Sequence, residues 1–511
     1  MKLNFVQNTK KNVVAGSINQ GFLLLFPFLN RTLFLWLLGP EYLGLNGLFA
    51  SILGVLSLAE LGFGKAVVCS MYKPIADDDR KLVCAYLRFY RTIYRGVGTI
   101  IFVVGLCLLP FLKKLVHGEL PPDVNLYVLY LLHLTNTSVS YFLFAYRGSI
   151  FGAHHRNDVL TNIRTAIQVF QYITVFLVLI LTRNYYWYVI VTVLFTGISN
   201  LLIMYESKRL FPDFSPRGEL SKDKRSQVVS DVKSIFLHKL GSIISQQIDN
   251  VVLSAFIGLV AVAAYGNYYY VYTTVAGLPA ILYSTMSGGF GNKIHTETRE
   301  KNFELFMFVG RIVAIINIWC AAMMLALYQP FISVWARRNP ELIQHFLLPV
   351  LMVLFFYVNQ SRQVLLTFKA GASIWYADRW KPVVGGVVKL VTCLAFVMLL
   401  PEEYKLDGMI LSSIIGYVFV QIPWESHVMF TMFFDRTQAK AYWRRQAQFL
   451  LLAVLVCVIT WGAVSLIPMA DNSLPGLIAK GIAASLVSVG MVLVLFHKDV
   501  PVILGKVLKR G

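Results

Sequence analysis

Ionisable side chains inside long apolar stretches are the residues of this 511-residue chain best placed to do chemistry. At mid-depth in a hydrocarbon layer each costs at least about 2.5–3.5 kcal/mol on insertion scales, so such groups face a water-filled cavity or a partner. Arg31, Glu60, Lys65, Asp249 and Glu425 fall deep within apolar runs, and Lys389 lies further in than an end position. A guanidinium grips phosphate through two parallel hydrogen bonds, which makes Arg31 a candidate substrate ligand; an internal ion pair with Glu60 or Asp249 is the alternative. Asp249 has three readings: a counter-charge that holds Arg31 when no substrate is bound, a group coupled to a proton or Na⁺, or a buried carboxylate kept neutral. Lys65, after the glycines of ELGFGK, either reaches a polar vestibule as a second ligand or snorkels to the interface. Glu425, in PWESH beside the helix-opening Pro423, is as readily structural as functional. Arg311, Arg362 and Lys480 lie close to the ends of their runs, and snorkelling accounts for them.

Other chemistries find no residues to run on. The run Asp77-Asp78-Asp79 resembles a sugar-nucleotide DxD site but adjoins no nucleotide-binding domain, and it reads as the acidic start of a helix. No Walker A sequence is present, so ATP does not drive this chain by itself. Six cysteines without CxxC spacing imply neither a disulfide framework nor a zinc site. His133 and His427 are lone histidines on apolar helices, the pattern of satisfied core groups. No catalytic residue, metal or cofactor is expected.

The elements that must position these residues are membrane helices. Apolar stretches occur at 15–38, 45–71, 96–112, 126–151, 162–182, 185–205, 236–258, 261–290, 305–334, 343–369, 382–400, 408–434, 446–467 and 476–497. Each approaches or exceeds the ~20 apolar residues that a bilayer core demands, which predicts an all-α polytopic membrane protein with 14 transmembrane helices. The first stretch is too long for a signal h-region and is expected to remain as a helix. Even-numbered connections and both tails hold 34 Lys and Arg, against 6 in the odd-numbered connections. By the positive-inside rule both termini are cytoplasmic. The net charge of +20 is spread over every cytoplasmic loop, which suits anionic lipid headgroups and not nucleic acid.

The polar stretch 206–239 reads as a linker between halves that superpose at an offset of about 219–220 residues. Gly39 and Gly47 fall on Gly258 and Gly266, Asp158 on Asp378, and Arg31 beside Asp249 as Asn250. Six crossings separate the copies, so the repeat is parallel, about an axis along the membrane normal. The expected division is an N-terminal six-helix bundle (1–210), a cytoplasmic linker (211–235), a C-terminal six-helix bundle (236–434), and an extra helix pair with the tail (435–511). Leu82, Tyr86, Phe89 and Ile93 recur opposite Arg88, Arg91 and Arg95, which predicts a helix between the second and third spans that either lies flat on the cytoplasmic leaflet or is a solvated connection.

The runs LGPEYLGLNGLFASILGVLSLAELGFGKAVV, YKPIADDD, QIDNVVLSAFIGLVAVAAYGNYY and ADRWKP together resemble the polysaccharide flippases of the multidrug/oligosaccharidyl-lipid/polysaccharide (MOP) exporter superfamily. The resemblance covers nearly the whole chain. It implies a MATE-like fold of two six-helix bundles and carriage of an undecaprenyl-pyrophosphate-linked oligosaccharide across the bacterial plasma membrane for O-antigen, capsule or exopolysaccharide synthesis. It further implies a groove for the lipid tail at spans thirteen and fourteen, and a polymerase and a chain-length regulator as candidate partners. Lys65 departs from the pattern, which has a small residue there. On this reading Arg31, Lys65 and Lys389 bind substrate, while Asp249, Glu60 and Glu425 serve as ion-coupling groups or counter-charges. Tyr265, Asn267, Tyr268 and Tyr269 either meet sugars or anchor the interface. A cation-coupled multidrug exporter would want acidic cavity walls, and a membrane polysaccharide polymerase or ligase would want larger external loops. A scaffold for a synthesis complex would tolerate neutralising every mid-membrane charge.

Overall fold

The computed structural model describes residues 25–57, 63–118, 120–372, 374 and 377–497. Regular structure among the described residues is helical throughout. The first compact unit, Met1–Ala263, holds α1 (Leu25–Leu37), α2 (Pro40–Leu56), α3 (Phe63–Ala76), α4 (Arg80–Cys107), α5 (Leu126–Phe142), α6 (Gly148–Ala153), α7 (Asn157–Thr182), α8 (Tyr185–Leu210) and α9 (Lys222–Phe256). Helix α10 (Leu259–Thr296) begins there and continues into the second unit, Ala264–Gly511. That unit adds α11 (Arg299–Trp335), α12 (Leu347–Ser361), α13 (Gln363–Gly371), α14 (Lys381–Leu399), α15 (Lys405–Ile415), α16 (Ile422–Met432), α17 (Arg436–Ser465) and α18 (Leu474–Leu495). A wide π-helical turn, Gly416–Gln421, joins α15 to α16.

Eight spans among the described residues are long and apolar enough to cross a membrane, and up to ten if each of two bent pairs is one span. The chain is a multi-pass membrane protein. The eight coincide with the fifth, sixth and ninth to fourteenth expected stretches. The third and fourth fall on the bent pairs, kinked by 60° after Cys107 and by 44° after Phe142. The first and second lie partly outside the described residues, and the seventh and eighth fall within the long helices α9 and α10.

Two local expectations change. The segment with Leu82, Tyr86, Phe89 and Ile93 is not a separate surface helix; it is the first half of α4, which runs unbroken for 28 residues. Its face of Val83, Tyr86, Leu87, Tyr90 and Tyr94 is buried, so protein covers it and no lipid interface is needed. Asp79 starts the helix, its carboxylate accepting the Leu82 backbone N–H at 3.0 Å, a bond that satisfies one of the first-turn donors. The stretch expected as a cytoplasmic linker between halves packs against α4. Arg80 pairs with Asp213 at 2.6 Å, and Arg88 donates to the Gly218 carbonyl at 3.0 Å. From Lys222 the backbone is already α9, so the boundary between compact units comes after Ala263.

In the first unit α2 turns its small residues toward α9 and the start of α10. A methyl group on Gly44 would run into the Leu259 carbonyl, and one on Gly54 would sit 2.9 Å from the Gln247 side chain. Without hydrophobic drive in lipid, such small-residue faces are what allow helices to approach closely. Gly39 (φ 114°) and Gly258 (φ 128°) occupy left-handed backbone ahead of α2 and α10, a conformation that any side chain would strain. In the second unit, α17 and α18 pack on α11, where Ala326, Val464 and Ala484 form a small buried cluster.

Candidate functional site

Arg31 projects from α1, half-buried, and its Nη2 donates to the Ala263 carbonyl at 3.4 Å. Asp249, on α9, is 3% exposed. Next to it Asn250 donates to the Ser51 hydroxyl at 2.9 Å and to the Gly47 carbonyl at 3.4 Å, which ties α9 to the small face of α2. Asp249 is therefore carried by a helix, α9, that packs against the glycine-bearing face of α2. Glu60 lies outside the described residues. Lys65 stands near the start of α3, and its side chain is outside the described part.

In the second unit five charged side chains converge where α12, α13, α14 and α16 meet. Arg362 Nε donates to Glu425 Oε2 at 3.1 Å, and its Nη2 donates to the other oxygen of the same carboxylate and to Gln421 Oε1 at 2.7 Å. Lys381 bridges Glu425 and Asp378, lying 3.1 Å from Asp378 Oδ2. Lys369 donates to Asp378 as well. The Tyr417 ring underlies the Arg362 guanidinium, 4.6 Å from ring centre to guanidinium carbon. Arg362 is 8% exposed and Glu425 fully buried, so these charges have exchanged water for one another. Three basic side chains face two acidic ones. The wide turn Gly416–Gln421 matters to this geometry, because it sets Gln421 and Glu425 toward the same guanidinium.

Glu425 thus pairs directly with Arg362 and Lys381, and Lys381 links it to the Asp378–Lys369 pair. Lys389, on α14, is 7% exposed, and Gly416 of the wide turn lies against its stem. Arg362 does not snorkel: the expected interfacial cation is a buried partner of Glu425. Lys480, also expected to snorkel, pairs with Asp471. Tyr265 and Tyr268 present little surface to a ligand or to lipid. Both are buried, with the Tyr268 hydroxyl accepting the Gln344 backbone N–H at 3.0 Å and its ring stacked on Tyr328. His133 is a core group, 3.1 Å from the Tyr185 hydroxyl.

Sequence reasoning missed the partnership of Arg362, Lys369, Asp378 and Lys381. A partial signal existed in the Asp378–Lys381 spacing, one helical turn, at the opening of an apolar run. The link to Glu425, 63 residues from Arg362, has no local signature.

Comparison with known proteins places the family and the fold. A family model described as "Polysaccharide biosynthesis protein" matches residues 9–286, a little over half of the chain. No curated protein matches the sequence. Among solved structures, the lipid II flippase MurJ in an inward closed conformation shares 14% identity, covering 96% of this chain and 99% of its own, with a TM-score of 0.70. An inward-facing multidrug resistance MATE family transporter of the MOP superfamily shares 16% identity over 82% of this chain and 99% of its own, TM-score 0.58. A Vibrio cholerae MATE transporter shares 12% identity over 84% and 99%, TM-score 0.55. At such identities the likeness is one of fold, and the fold is that of these transporters.

Proposed function

The chain belongs to the polysaccharide biosynthesis protein family, and on that premise we propose that it is a flippase for an undecaprenyl-pyrophosphate-linked oligosaccharide repeat unit. The observation that carries the proposal is the conjunction of that family with a transporter fold over nearly the whole chain. Polysaccharide synthesis that starts from sugar nucleotides inside the cell must move a lipid-linked glycan across the membrane, and a translocator serves that need where an enzyme would not. Cargo passes from the cytoplasmic to the outer leaflet by alternating access, in the bacterial plasma membrane, with both termini cytoplasmic as the 34-to-6 distribution of basic residues favours. Arg31, with Lys65 and Lys389, grips the pyrophosphate, while the polyprenyl tail stays in lipid along α17 and α18. A polymerase and a chain-length regulator receive the product.

Asp249 couples the cycle to a proton or Na⁺, or else holds Arg31 between cargoes. Moving one charge across the membrane is worth about 2.3 kcal/mol per 100 mV, enough for a coupled ion to bias the cycle. The MATE-like fold favours one second reading, a cation-coupled multidrug exporter of the same superfamily. Complementation separates the two. Expression in bacteria that lack their own repeat-unit flippase restores surface polysaccharide on the first reading; on the second it leaves the surface bare and raises resistance to cationic drugs.

A further inference from the structure

We propose that a polar cavity among α4, α5, α7 and α8 of the first unit is a carbohydrate-binding subsite that receives pyranose rings of the cargo, a step that rests on the flippase reading above. The cavity measures about 480 Å³, within the ~300–1,000 Å³ range of small-molecule sites. Asn136 and Ser140 of α5, Gln168 and Gln171 of α7, and Thr196 and Asn200 of α8 line it. Helices α7 and α8 are both apolar enough to span a membrane, so six amide and hydroxyl side chains turned to one interior space are a costly choice unless that space holds something polar.

The two walls differ. Across α5 and α8, Thr196 donates to Asn136 Oδ1 at 2.8 Å and Asn200 donates to the Ser140 hydroxyl at 3.2 Å, which fixes these side chains in place. Facing them, Gln168 and Gln171 of α7 line the cavity, and their side chains make no hydrogen bond among the described residues. Each amide offers two donors and an acceptor with two lone pairs. Tyr94 and Tyr141 also line the cavity, ring centres 5.4 Å apart, and supply flat apolar faces with polar edges.

That lining selects a ligand class. A lipid tail would leave the amides unsatisfied, a drug cation would want a carboxylate, and none lines the cavity. A phosphate would want several cations, and Arg164 is the one charged side chain in the lining. Dense hydroxyls that both donate and accept, on rings with apolar faces, match every feature.

The test uses a single cysteine, Gln171→Cys, in full-length protein lacking its six native cysteines and reconstituted in nanodiscs. Its maleimide labelling rate is measured without ligand, then with lipid-linked oligosaccharide extracted from the producing cells, with the glycan released from that lipid by mild acid, and with bare undecaprenyl pyrophosphate. Labelling should slow at least tenfold with the first, slow measurably with the second, and stay unchanged with the third. Equal protection by bare undecaprenyl pyrophosphate would overturn the subsite. So would absence of protection by a lipid-linked oligosaccharide that the same protein translocates in proteoliposomes. Failure of the native sequence to translocate that lipid would overturn the flippase reading instead, and the released glycan alone would then decide the cavity, protection upholding it and none refuting it. As a second variant, Gln168→Leu with Gln171→Leu places apolar groups in an apolar layer and should insert normally, yet lower translocation at least tenfold; an unchanged rate contradicts the proposal.

Discussion

Arg31 and Glu425 show how differently two charges can be kept inside a membrane. Glu425 is surrounded by Arg362, Lys381 and Gln421, and its role follows from its contacts. Removing one member of a buried pair leaves an uncompensated charge at a cost of about 3–5 kcal/mol. Glu425→Gln should therefore lower thermal stability in detergent markedly, whereas Glu425→Gln combined with Arg362→Met should recover part of the loss; stability equal to the native protein in the single variant would remove the ion network from the account. Arg31 is half-buried on α1, and its printed contact is with a backbone carbonyl, that of Ala263, and not with a carboxylate. Arg31→Ala should abolish surface polysaccharide while membrane insertion persists, and Arg31→Lys should restore part of it, since an ammonium lacks the fork geometry. For Asp249→Asn, an ion-coupling role predicts that substrate still binds but the response to a proton or Na⁺ gradient in proteoliposomes disappears. An unchanged gradient response would leave it as a structural counter-charge. Depth along an apolar run singled out Arg31, Glu60, Lys65, Asp249 and Glu425 as candidates in the sequence, with Lys389 at an intermediate depth. It misjudged Arg362, because distance from a helix end says nothing about a carboxylate 63 residues away.

At the scale of elements, the helices were legible because apolar length is a strong signal, and the acidic run ending at Asp79 marked one start; the caps Asn125, Asn184 and Ser473 emerge from the structure. Breaks and continuations were harder to read. Polar patterning suggested a separate helix at Leu82–Ile93 and a linker at 211–235, whereas α4 runs on without a break from Arg80 to Cys107 and α9 already begins at Lys222. The wide turn at Gly416–Gln421 carries no composition cue, although Gly416 opens it and Gly385 admits the Gln421 side chain against α14. Gly44 offers the cleanest test of element packing. Gly44→Ala drives a methyl group into the Leu259 carbonyl, so an overpacking cost of about 1–3 kcal/mol is expected, read as a lower melting temperature. Gly462→Ala, where nothing lies nearby, should leave the melting temperature unchanged or raise it slightly.

For the whole molecule, topology sets the direction of transport. Single cysteines in the cysteine-free background should react with an impermeant maleimide added outside cells at Glu119 and Asp471, and not at Ser221 or Thr437. Inverting the chain would send 34 loop and tail cations outward in exchange for 6, against insertion bias and potential alike. Family and fold class were legible in the sequence because composition and local motifs run the whole length of the chain. The polar cavity of the first unit was not, since Asn136, Gln168 and Asn200 are ordinary residues until three helices bring them together. The central claim is translocation of a pyrophosphate-linked glycan, and its most direct test is a flipping assay with the purified protein. Proteoliposomes loaded with undecaprenyl-pyrophosphate-linked oligosaccharide in the cytoplasm-equivalent leaflet should expose the glycan to a membrane-impermeant lectin on the opposite face, and should do so with the native sequence but not with Arg31→Ala. Equal exposure in protein-free liposomes, or full exposure with Arg31→Ala, would contradict the account.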